Sequence, residues 1–336
     1  GNIIPGIYLV KVDSTPNSTF EGTDINVNLE LTIPNANINL SVVNLDTDKD
    51  DLEKSAKYFS NAGYRLKLGR SNHLQYGPFA GTAQERADDI NEMFSNPEID
   101  AIFCARGGYG ANKVLPLLDY ENIRSNPKIF LGYSDITSYL TSITQKTDLV
   151  TFHGPMLSSF RKEFVQYNYD SMVNMLESSS RVTISAPEDF SPRILRSGTC
   201  KGKIWGGNLT LITNRLGSSD ALKTDNVILF LEDVDEYLYS FERMLVHLHN
   251  AGVFKKINGL IIGELHEFKD QDIPFGKSAD EIIMDVCGHL DIPIITNFPC
   301  GHGKYQCTIP ISVNVELNAL KNKPYITTLE NAVSDI

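Results

Sequence analysis

The sequence has a single tryptophan, no apolar run long enough to span a bilayer, and no dense block of lysine or arginine. The missing apolar run argues against a membrane-spanning helix. The missing basic block, with 42 acidic against 30 basic residues and a net charge of −12, argues against general affinity for nucleic acid or anionic lipid. The five cysteines, Cys104, Cys200, Cys287, Cys300 and Cys307, are odd in number, widely spread and free of C-x-x-C pairs. That spacing argues against a disulfide framework, and a reduced, cytoplasm-like environment is expected. His247 and His249, two apart on a helical pattern, face different directions and make a poor metal pair. No metal or cofactor is expected. A G-x-G-x-x-G dinucleotide fingerprint is absent, and no internal repeat or low-complexity tract interrupts the chain.

What is present is an ordinary globular composition, 41% hydrophobic and 21% charged over 336 residues, enough for two domains with cores of their own. Residues 1–37 read as a polar N-terminal extension, with Ile7 to Val10 and Val27 to Leu31 as short strand candidates. From Ile38 the pattern becomes regular. Ile38 to Leu45 reads as a strand, Asp50 to Asn61 as a helix and Tyr64 to Leu68 as a second strand. After a long loop, Thr82 and Glu85 have the spacing of a capping box for a helix burying Ile90, Met93 and Phe94. Alternating strands and helices of this kind predict a mainly parallel α/β sheet. Leu149 to Phe152 adds a strand that ends in His153-Gly154-Pro155.

Residues 38–165 are thus a first α/β domain, 166–200 a helix and crossing segment rich in Ser, Arg, Glu and Pro, and 201–336 a more strand-rich second domain. In the second domain Val227 to Leu231, Leu260 to Ile262 and Pro293 to Thr296 are apolar runs, and Ile309 to Leu317 alternates as a half-buried strand. Helical spacing covers Tyr237 to Asn250 and Ala279 to Leu290.

Two strand-to-helix turns between Ala101 and Ile143 carry the chemistry. Ala101 to Cys104 reads as a buried strand, followed by Arg106-Gly107-Gly108-Tyr109-Gly110 and an apolar helix through Val114, Leu117 and Leu118. Ile129 to Leu131 reads as a strand stopping at Gly132-Tyr133-Ser134-Asp135, after which Ile136, Tyr139, Leu140 and Ile143 recur at helical spacing. A serine at such a turn has the placement of a nucleophile elbow, although Ile136 stands where G-x-S-x-G has its second glycine. The Gly107-Gly108 turn and the Asp135 N–H could serve an oxyanion. An ordinary serine N-cap accounts for the same residues. Ligands of parallel sheets sit at the carboxyl ends of strands, where both turns fall.

A serine nucleophile needs a base, and the base an orienting acid. His302, between Gly301 and Gly303 after a strand, is placed at a strand's carboxyl end, as a surface turn histidine also would be. Glu232 directly follows the run Val227 to Leu231, with Asp233, Asp235 and Glu236 behind it as a possible solvated turn. The order Ser134, Glu232, His302 is that of α/β-hydrolases.

The same residues carry a resemblance. Ala80-Gly81-Thr82 to Arg86, Ile102 to Gly110, Pro127-Lys128 with Gly132 to Thr137, His153-Gly154-Pro155, Gly206-Gly207-Asn208-Leu209, Phe230 to Asp233 and Gly301-His302-Gly303 together resemble the LD-carboxypeptidase family of serine peptidases, in order from about Ile38 to about Leu317. The resemblance implies a Ser134–Glu232–His302 triad, oxyanion donors at Gly107, Gly108 and Asp135, and no metal. It also implies an N-terminal flavodoxin-like domain, a C-terminal swivelling β/α domain, and commonly a homodimer. The family includes peptidases that release D-alanine from murein tetrapeptide. It also includes microcin C immunity peptidases acting on aminoacyl-nucleotide conjugates, for which Trp205 would be the aromatic to stack on a base, unless it is simply a core residue. The substrate is therefore expected to be a small peptide or peptidyl-nucleotide. The chain departs from the family near its start, where Val42 to Thr47 stands in place of an Ala-Pro-Ser-type turn. The rival from another class is a peptide-binding module whose triad has lost its working geometry.

Overall fold

The structure, a computed structural model, describes residues 39–43, 55, 57–160, 164–178, 180–320 and 323–333. Among these the chain divides into two compact units, one up to Leu131 with Met156–Phe164, the other Gly132–Pro155 with Val165–Val333. The architecture is α/β with parallel-rich sheets.

In the first unit the strands β1 (Asn39–Val43), β2 (Arg65–Leu68), β3 (Ala101–Cys104) and β4 (Ile129–Gly132) pair in parallel in the order β2-β1-β3-β4. β3 and β4 are buried along their whole length, as uninterrupted apolar runs in a parallel sheet should be. Helix α1 (Ala83–Ser95) starts on the expected capping box: Thr82 Oγ1 accepts from the Glu85 N–H at 3.2 Å, and Glu85 Oε2 accepts from the Thr82 N–H at 2.8 Å. Its apolar stripe, Ala87, Ile90, Met93 and Phe94, is buried, each large side chain contributing about 1.5–3 kcal/mol by leaving water.

Two expectations shift in this part of the chain. The apolar helix through Val114, Leu117 and Leu118 is two 3-10 turns, Ala111–Lys113 and Leu115–Leu117, followed by the short α2 (Tyr120–Ser125). Pro116 accounts for this, since it lacks an N–H and its ring would clash with a preceding helical turn. The helix read over 50–61 is helical at Ser55 and 57–61; the rest of that stretch, and the strand candidates at 7–10 and 27–31, lie outside the described residues. The strand read over Leu149 to Phe152 is only β5, Phe152–His153.

The second unit pairs β5 antiparallel with β12 (Ile309–Pro310). Its large sheet contains β6 (Thr183–Ser185), β7 (Arg193–Arg196), β8 (Gly198–Asn208), β9 (Val227–Val234), β10 (Gly259–His266), β11 (Ile294–Phe298), β13 (Asn314–Ala319) and β14 (Tyr325–Thr328). They run in the order β6-β14-β13-β8-β9-β10-β11-β7. The core β8-β9-β10-β11 is parallel, and antiparallel strands flank it. The run Ile309 to Leu317 is not one strand. Ser312 adopts φ 72° and divides it into β12 and β13, which belong to different sheets, and only β13 alternates between buried and half-buried positions. Among the described residues no helix is long and apolar enough to cross a membrane.

Candidate active site

β4 stops at Gly132, Tyr133 continues extended, and Ser134 turns into the left-handed region at φ 64° before a 3-10 turn, Ser134–Ile136, runs into helix α3 (Thr137–Thr147). Holding a residue with a side chain there costs about 1–2 kcal/mol, strain that proteins keep mostly at functional sites. Gly132 allows the turn to be this sharp, because a β-carbon there would lie 2.7 Å from Ile136 Cγ2. The ordinary N-cap alternative does not fit: Ser134 lies inside the 3-10 turn, and neither this turn nor α3 begins with a side-chain cap. Asp135 is buried just behind it.

Glu232 and His302 meet directly. β9 carries Glu232 to a fully buried position, and His302, four residues beyond the end of β11, points Nδ1 at Glu232 Oε2 at 2.8 Å. The imidazole is 16% exposed, so the pair is shielded on one side and open on the other. Burial pushes the Glu232 carboxyl upward, but His302 above all, with His153 and the Asn208 amide, outweighs it and holds the group below its ordinary value. Burial pulls His302 down, and Glu232 reverses that and raises it. The two shifts agree in describing one coupled pair that favours imidazolium and carboxylate together. Bonding at Nδ1 leaves Nε2 as the nitrogen free for proton transfer.

The acids behind Glu232 have other work. Asp233 is buried, accepts from Asn208 Nδ2 at 2.9 Å, from the Thr210 N–H at 2.9 Å and from Thr210 Oγ1 at 2.8 Å, and is pushed up to about 6 by burial and by the neighbouring Glu232 charge. Asp235 is exposed and pairs with Lys269.

Several residues with no assigned part in the sequence reading bind these elements together. The Gly154 N–H donates to the Gly132 carbonyl at 3.2 Å, which sets the His153 turn beside the Ser134 turn. Tyr133 packs edge-on against His302, with ring centroids 4.9 Å apart, and against His153 at 6.1 Å. The Asn208 N–H donates to Thr137 Oγ1 at 3.0 Å, joining the end of β8 to the start of α3. His153 and Asn208 stood in recognisable motifs, but no periodicity says which distant ring or hydroxyl they touch. Of the other expected site residues, Gly107 and Gly108 follow β3 in the first unit, Gly108 at φ 115°. Trp205 lies in β8 opposite Leu229 of β9 and is 8% exposed. Among the described residues no group of three or more His, Cys, Asp or Glu could hold a metal ion.

Comparison with known proteins agrees with this arrangement of elements. The LD-carboxypeptidase N-terminal domain family matches residues 38–154, and the LD-carboxypeptidase C-terminal domain family matches 201–317. A probable murein peptide carboxypeptidase of Bacillus subtilis (strain 168) is 32% identical over 285 residues, covering 83% of this chain and 88% of the relative. The microcin C7 self-immunity protein MccF of Escherichia coli is 32% identical over 301 residues, covering 81% and 86%. A solved structure of MccF in complex with glutamyl sulfamoyl guanosine has a TM-score of 0.82 at 28% identity, covering 88% of this chain and 97% of that one. With both domain families matched in order and relatives this similar over most of their length, the chain belongs to the LD-carboxypeptidase family of peptidases and is a hydrolase.

Proposed function

We propose that this protein is a serine carboxypeptidase that releases the terminal D-alanine of murein tetrapeptide by cutting the L,D-peptide bond. Ser134 Oγ attacks the scissile carbonyl while His302 Nε2 takes its proton, and the Asp135 N–H donates to the oxyanion. The same imidazolium then protonates the departing amine, and water attacks the acyl-serine with His302 again as base. Glu232 fixes the imidazole through Nδ1 and stabilises its charged form. The observation that carries this reading is the 2.8 Å contact between His302 and a fully buried carboxylate, in the unit that also holds Ser134 on its left-handed turn. A binding module would gain nothing from burying a carboxylate against an imidazole, since such a pair is costly to desolvate.

The second reading keeps the chemistry and changes the substrate to an aminoacyl-nucleotide conjugate, as favoured by the similarity to MccF solved with glutamyl sulfamoyl guanosine. Stacking a base would need an exposed aromatic face, and Trp205 is 8% exposed, which supports the tetrapeptide. The assay compares murein tetrapeptide, its C-terminal amide and an aminoacyl sulfamoyl-adenosine, each with the parental chain and with Trp205→Ala. Cleavage of the tetrapeptide but not its amide, with Trp205→Ala tolerated, is expected. Cleavage of the adenosine conjugate alone, abolished by Trp205→Ala, would transfer the assignment to the second reading. The resemblance also carries a homodimer, which sedimentation can check, and the five free thiols suit a cytoplasm-like compartment.

A further inference from the structure

His153 stands beside the Glu232–His302 pair, and the proposed mechanism does not use it. Its ring is 1% exposed and packs edge-on against Phe230 with centroids 5.1 Å apart. Phe230 lies two residues before Glu232 on β9, so both side chains leave the same face of that strand. On its other side the ring meets Tyr133, which itself packs on His302. His153 is thus held from two directions against the neighbourhood of the carboxylate.

The polar groups at this place do not balance. Among the described residues neither ring nitrogen of His153 has a hydrogen-bond partner, and neither does Glu232 Oε1, though all three atoms are buried; the Asn208 amide, which also favours the Glu232 charge, is bonded to Asp233 Oδ1 at 2.9 Å. An uncharged imidazole always carries one N–H, and a carboxylate oxygen is an acceptor only, so the two unmatched groups are complementary. Buried polar groups left unmatched are rare and usually have a reason. A half-turn of the ring about χ2 exchanges nitrogen for carbon along each edge at no change in volume, which brings an N–H to an edge that faced its neighbour as C–H.

We propose that His153 is a positioning residue for Glu232, its uncharged ring supplying an N–H to the carboxylate oxygen that His302 leaves unused. The proposal rests on the triad reading above. Burial holds the ring's pKa down at about 4, although the Glu232 charge works the other way, so it is neutral wherever the enzyme would act. A neutral donor can steady the carboxylate without cancelling the charge that His302 needs. A histidinium there would compete with His302 for the same partner. The groups that share this charge balance are Glu232, His302 and Asp233.

The test titrates His302 by NMR in the parental chain, His153→Phe, His153→Asn and His153→Gln, alongside kcat and KM. Phe keeps the flat ring and removes the donor; Asn and Gln restore an N–H where Nδ1 or Nε2 stood. Without the donor the carboxylate charge is less dispersed, so the His302 pKa should rise by about half a unit or more in His153→Phe and return in Asn or Gln. Turnover should fall about tenfold in His153→Phe with KM unchanged, and recover in the same rescuing variant. No movement of the His302 pKa in His153→Phe, or an equal movement in all three variants, would overturn the proposal. If His153→Phe does not fold, the ring nitrogen resonances of His153 are compared between the parental chain and Glu232→Gln. A displaced N–H signal supports the bond, and an unmoved one removes it. Because the titration needs no turnover, an active Ser134→Ala variant would remove the triad and leave this result standing.

Discussion

Gly301 lies so close to Glu232 that a β-carbon on it would fall 2.7 Å from Oε2, the oxygen that holds His302. The residue before the histidine therefore has to be small for the carboxylate to reach the imidazole. Its φ of 109° adds a second demand for glycine. Gly301→Ala should displace the carboxylate and lower kcat by about a hundredfold, the scale expected of misplacement near an ångström. Near-parental turnover in a folded Gly301→Ala protein would mean that the contact is not needed.

Ser134 should trade stability for chemistry. Glycine adopts the left-handed turn without strain and a residue with a β-carbon does not, so Ser134→Gly should melt above Ser134→Ala by an amount worth up to about 1 kcal/mol, less than the full strain because glycine also gains freedom when unfolded. Both variants should lose almost all turnover. Equal melting temperatures for the two would show that the turn relaxes around any small residue.

In the proposed mechanism the raised pKa of His302 sets the acid limb of the pH profile. The base works only when neutral, so kcat/KM should decline below an apparent pKa above the ordinary 6.5, and Glu232→Gln should move that limb to lower pH. The same two shifts make the stability of the fold depend on pH. His302, raised, adds stability in full below 6.5 and loses it as pH climbs through its folded value. Glu232, lowered, adds stability in full above 4.5 and loses it as pH falls through its own. The stability gap between the parental chain and Glu232→Gln should therefore be widest between pH 4.5 and 6.5. A gap that is flat from pH 4 to 9 would argue against a coupled pair.

The three neighbouring acids should separate cleanly. Glu232→Gln should cost about 10³- to 10⁴-fold in kcat, as losing the acid of a triad does. Asp235→Asn should cost almost nothing, since exposed ion pairs such as that with Lys269 contribute little. Asp233→Asn should fall between, because it holds Thr210 and the Asn208 amide rather than the imidazole. Equal losses at all three positions would place the orienting acid elsewhere.

The sequence made the strand ends legible and the side-to-side contacts illegible. β3, β4 and β9 stood out as apolar runs because each is buried on both faces, and the turns after β3 and β4 were marked by their glycines. Glu232 could be singled out from Asp233 and Asp235 only by its place against such a run. The long strand β8 was hidden, since Gly198, Gly202, Gly206 and Gly207 leave gaps in any alternation. The break at Ser312 left no trace, because a serine at positive φ reads like any other serine. Tyr133, His153 and Asn208 were beyond reach for another reason. Their contacts join segments far apart in the chain, and local periodicity holds no information about which segments meet.

The second unit takes in two separate stretches of chain, with Ser134 in the earlier and Glu232 and His302 in the later. A ribosome therefore releases Ser134 long before Glu232, and His302 only after β11 is complete. On the proposed triad, the nascent chain carries the Ser134 hydroxyl without its base until His302 has emerged. In the proposed mechanism hydrolytic power therefore arrives late, as a property of the finished unit.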